Sequence, residues 1–204
     1  MANMKFLTGK EANRLELSIS FNAFWQELER ECGNCDCTMD WSWHPFNKGI
    51  RPKRLWNSFG RETACAEACK KSAVLLSDAL KKNGCLPILA RHYKMSWRWM
   101  PPETALHPAK DKEFNKLKDT AKTYLSSVVP VGFKGAILLE SHEEIQCFLI
   151  ALLAAPTIFS YLELYLFSTT APLIVKINHH FDFFCYSKKG SRIGTFDNDL
   201  KPIG

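Results

Sequence analysis

The amino-acid sequence predicts an α+β protein in which a C-terminal antiparallel meander is packed by three or more helices and joined by an aromatic, basic N-terminal lobe. Three observations carry this. Leu162, Leu164 and Leu166 alternate with Tyr161, Glu163 and Tyr165, and Leu173, Val175 and Ile177 repeat the two-residue period, so the C-terminal half reads as successive strands. Ahead of them, Ser141-His-Glu-Glu144 has the spacing of a capping box and opens an apolar helix. Upstream again, Cys32 to Trp99 holds six of the eight cysteines and five of the six tryptophans, a composition unlike the rest of the chain.

Taken in order, Arg14 to Phe21 places Leu15, Leu17, Ile19 and Phe21 on one side, a half-buried strand pattern with helix as the competing reading. Asn22 then caps a short helix, Ala23 to Glu31, whose Phe24, Trp25 and Leu28 share a face and whose stop is Gly33. Trp41 and Trp43 form one W-x-W pair and Trp97 and Trp99 a second; both lie in extended segments that are expected to pair and stack their rings. Between them Arg61 to Lys82 is a helix with an apolar face of Ala64, Cys65, Ala68, Ala73, Leu75, Leu76, Ala79 and Leu80, stopped by Gly84. Pro101-Pro102 ends the region as a turn.

Lys110 to Ser126 keeps Phe114, Leu117, Ala121, Tyr124 and Leu125 at helical spacing among alternating charges, the pattern of a surface helix with one buried stripe. Ala136 to Leu139 reads as a strand, and the Ser141 helix to Ala155 is apolar on nearly every face. Ile145 to Leu162 carries no charge over 18 residues, but Pro156 interrupts it, so no membrane span is expected. Strands follow at Tyr161 to Phe167, Leu173 to Asn178, Phe181 to Ser187 and Arg192 to Phe196, with connections short enough for a meander.

At 204 residues, with 46% hydrophobic and 24% charged content, the chain has the size of one domain, residues 1–204, with sub-lobes 1–100 and 101–204 as the alternative. Met1 to Lys10 lacks the apolar run of a secretory signal, so the expected setting is cytoplasmic. There, cysteines are thiols, core residues or metal ligands rather than disulfides. Cys32, Cys35 and Cys37 form a C-x-x-C-x-C cluster; Cys32 and Cys35 with Cys65 and Cys69, four apart on the next helix, make a candidate zinc set, with His44 in reserve. The competing reading puts Cys65 and Cys69 on the helix's apolar stripe, and no cofactor is then required.

Charge is the more informative signal. The net charge is +6, yet Lys48 to Arg98 alone holds twelve Lys and Arg against Glu62, Glu67 and Asp78, a balance of +9, while the segment before it is −3 and the segment after it neutral. Such polarity favours an acidic partner. Arg51, Lys53, Arg54, Arg91 and Arg98 are the candidate steering cations, and Trp56 or Trp97 the candidate anchors.

Catalytic motifs are thin by comparison. His142-Glu143-Glu144 lacks the second histidine of a zinc-protease helix, position 146 being Gln, and no P-loop, G-x-G-x-x-G or G-x-S-x-G occurs. His179, His180 and Asp182 crowd one turn, but neighbours in a strand point to opposite faces, so solvation explains them as well as chemistry does. A cysteine nucleophile paired with His44 or His92 stays open. The sequence therefore points first to a non-enzymatic binding protein for an acidic protein surface, as an inhibitor such as a bacterial immunity protein or antitoxin would be. A nucleic-acid-binding protein using the same patch and a zinc- or thiol-dependent enzyme using the cysteine cluster are the two alternatives.

Overall fold

The computed structural model describes residues 4–16, 37–43, 66–97, 112–130, 132–154, 163–178 and 183–188. They form an α+β fold with one seven-stranded, wholly antiparallel sheet and, among the described residues, four helices. In chain order these are β1 (Lys5–Leu7), α1 (Gly9–Leu15), β2 (Cys37–Trp43), α2 (Ala66–Lys82), β3 (Ile88–Ser96), α3 (Lys112–Val128), β4 (Lys134–Leu139), α4 (His142–Ala154), β5 (Glu163–Ser168), β6 (Leu173–Asn178) and β7 (Phe183–Lys188). The sheet runs β1-β4-β3-β5-β6-β7-β2.

The expected meander is present as β5, β6 and β7, with Leu166 opposite Val175 and Val175 opposite Cys185. The sheet is not confined to the C-terminal half, however. β3 inserts between β4 and β5, and β1 and β2 close the two edges, so strands from both sides of residue 100 share one sheet. The two W-x-W segments do not pair: β2 lies at an edge beside β7, and three strands separate it from β3, after which Trp97 follows. At the start of the strand expected over Arg14 to Phe21 the competing helical reading holds, and residues 17–21 lie outside the described residues. Arg14 and Leu15 end α1, because Thr8 and Glu11 cap that helix reciprocally: the Thr8 backbone N–H donates to Glu11 Oε2 at 2.8 Å, and the Glu11 N–H donates to Thr8 Oγ1 at 3.3 Å. The Thr8 backbone N–H and the Thr8 hydroxyl, which donates to Glu11 Oε2 at 2.8 Å, together hold the Glu11 carboxyl below its ordinary pKa.

Each longer helix forms where its apolar stripe predicts. α2 buries Cys69, Ala73, Leu76, Ala79 and Leu80. It ends in a Schellman turn: the Cys85 N–H donates to Leu80 O, the Gly84 N–H donates to Lys81 O, and Gly84 takes φ +65°, which only glycine adopts freely. α3 buries Phe114, Lys118, Ala121 and Leu125. α4, capped as expected by Ser141 and Glu144, packs between α2 and α3 and buries Ile145, Phe148, Leu149 and Leu152. No described helix is long and apolar enough to cross a membrane.

The sheet has two differently built faces. Ile88, Ala90, Ile137, Leu139, Leu164, Leu166, Val175 and Ile177 join the helices in the main core. On the opposite face, Leu7, Leu89, Ala136, Leu138, Tyr165, Phe167 and Ile174 form a second cluster with Ala12 of α1. Gly135 sets how closely β1 and β4 approach. At φ +149° it leaves no room for a side chain, since a Cβ there would collide with the Leu7 carbonyl oxygen.

Candidate functional site

Arg91 sits near the middle of β3, an interior strand and the third of seven across the sheet. Cross-strand register builds a row on the second face, with Ala136 and Tyr165 on either side of Arg91 and Lys176 beyond Tyr165. The guanidinium is fully buried. Its Nη1 pairs with Glu16 Oε1 at 2.7 Å and its Nη2 donates to Asn13 Oδ1 at 2.7 Å. Asn13 lies in the last turn of α1 and Glu16 is its C-cap, so three-residue spacing turns both towards the sheet. The guanidinium carbon also stands 5.9 Å from the centre of the Phe167 ring, and the Lys176 ammonium stands 5.9 Å from that of Tyr165. Burial lowers the Arg91 pKa, and the Glu16 carboxylate opposes that effect. A guanidinium nevertheless stays charged at neutral pH. The arrangement fastens α1 to the sheet; it does not present a cation to solvent.

Trp97 is likewise interior. Its backbone N–H donates to Phe133 O at 3.1 Å and its indole N–H donates to Gly135 O at 3.2 Å. The ring meets Phe148 of α4 edge-on at 6.1 Å and lies 5.8 Å from His92, itself buried. Steering by Arg91 and anchoring by Trp97 are therefore corrected: both side chains belong to the core, because β3 is covered on both faces. The remaining expected contacts, Arg51, Lys53, Arg54, Trp56 and Arg98, lie outside the described residues.

What the described part of the basic stretch turns outward is lysine. Lys70, Lys71, Lys81 and Lys82 of α2 are exposed. With about 100° of rotation per residue, the two pairs fall on nearly one side of the helix, roughly 16 Å apart along its axis at 1.5 Å per residue. Lys81 and Lys82 are also the cations that complement the C-terminal dipole of this helix, and its apolar positions mark all four lysines as outward-facing. Asp78 shares this side and is engaged from α4 by His142, whose Nε2 lies 2.6 Å from Asp78 Oδ1. Glu143 is close by, its carboxyl held below the usual range by a hydrogen bond from its own backbone and by His142 and Lys81. The positive character of α2 is thus partly offset beside Lys81.

Of the candidate zinc ligands, Cys69 is buried in the main core, 4% exposed, and Cys32, Cys35 and Cys65 lie outside the described residues. His44, His179, His180 and Asp182 also lie outside them. Cys69, Cys85, Cys147 and Cys185 are thiols, and Cys147 alone among these is exposed. No family model, no curated protein and no solved structure matches this chain.

Proposed function

We propose that this protein is a non-enzymatic binding protein that recognises an acidic macromolecular surface, in the first place an acidic protein face, through the basic stretch from Lys48 to Arg98. The observation that carries the reading is the local balance of +9 in a chain whose remaining residues sum to −3. Support comes from the division of labour within that stretch. Arg91 is consumed by the interior, while Lys70, Lys71, Lys81 and Lys82 stand exposed on α2. Surface cations of this kind raise association rates and select partners of opposite sign. Arg51, Lys53, Arg54 and Arg98 are the proposed steering groups, with Trp56 as the anchor. A dedicated inhibitor that occludes an acidic face would act in this way. The thiols of Cys69, Cys85, Cys147 and Cys185 support a reducing, cytoplasmic setting for this reading.

Pull-down from the native cell, with and without nuclease, followed by mass spectrometry and measurement of the recovered complex at two salt concentrations, tests the proposal. The expected result is an acidic protein that survives nuclease and is released by added salt. Recovery only of nuclease-sensitive material would move the partner to nucleic acid, whose binding weakens steeply with salt through counterion release. A partner whose affinity is indifferent to salt would overturn the electrostatic reading altogether.

A further inference from the structure

We draw no further inference here: the strongest candidate, the row of Arg91, Tyr165 and Lys176 across the second face of the sheet, belongs to the site already described, where Glu16 and Asn13 already engage the guanidinium.

Discussion

Arg91 and the lysines of α2 come from the same basic stretch, yet they occupy opposite environments. Arg91 is fully buried and bound to Glu16 and Asn13, whereas Lys70, Lys71, Lys81 and Lys82 reach solvent. A count of positive residues therefore overstates the positive charge that this stretch turns to solvent. A buried guanidinium contributes to fold specificity and nothing to long-range attraction once its charge is matched. The outward cations keep their charge in solvent, where Lys81 and Lys82 complement the C-terminal end of α2.

The largest effect on stability is expected at Arg91. Arg91→Met leaves Glu16, 3% exposed, as a buried carboxylate without its cation, and is expected to cost about 3–5 kcal/mol in urea denaturation. Combining it with Glu16→Leu should recover most of that loss, because the uncompensated charge is then gone. Equal instability of the single and double variants would mean that packing, not pairing, is what Arg91 supplies.

A smaller effect separates interior from exterior groups by pH. Burial pushes the Cys85 thiol from 9.0 up to about 11. A group whose pKa is raised by folding contributes stability that is complete below its unfolded value and disappears as the pH climbs through the folded one. Unfolding free energy should therefore fall between pH 9 and pH 11. The Cys85 share of that fall is about 2–3 kcal/mol, and Cys85→Ala should remove it. Tyr124, pushed up to about 12 by burial, steepens the decline above pH 10 in both proteins. An identical alkaline profile for wild type and Cys85→Ala would refute the assignment.

Trp97→Phe keeps an aromatic ring against Phe148 but removes the donor to Gly135 O. A loss of about 1–2 kcal/mol is expected, visible as an earlier urea midpoint, with partner affinity unchanged if Trp97 is a core residue and not an anchor. The smallest stability effect belongs to Lys70→Glu with Lys71→Glu: within about 0.5 kcal/mol of wild type, but with a slower association rate and a flatter salt dependence.

Much of the fold was legible because its signals are local. The Ser141 and Glu144 box, the stripe of α2 and the alternation from Leu162 to Ile177 all sit within a few residues of one another. Thr8 and Glu11 have the same box spacing, but the alternation of Leu15, Leu17 and Ile19 runs across the end of that helix at Leu15 and gives it the pattern of a strand. β1, three residues long, offers too short a run for any periodicity. The insertion of β3 between β4 and β5 depends on pairing between distant segments, which no local pattern encodes. Arg91 failed for a related reason. A strand covered on both faces loses the alternation that would mark an inward position, and the group that accepts a hydrogen bond from Arg91, Asn13, is 78 residues away. The site was legible as charge and illegible as geometry.

Whether the basic stretch binds the partner is decided by the affinity of Arg51→Glu, Lys53→Glu, Arg54→Glu for the purified partner, beside that of the wild type at the same ionic strength. With the thermal midpoint unchanged, at least a tenfold loss is expected, about 1.4 kcal/mol, carried mainly by the association rate. An unchanged affinity would contradict it and show that the basic stretch is not the recognition surface.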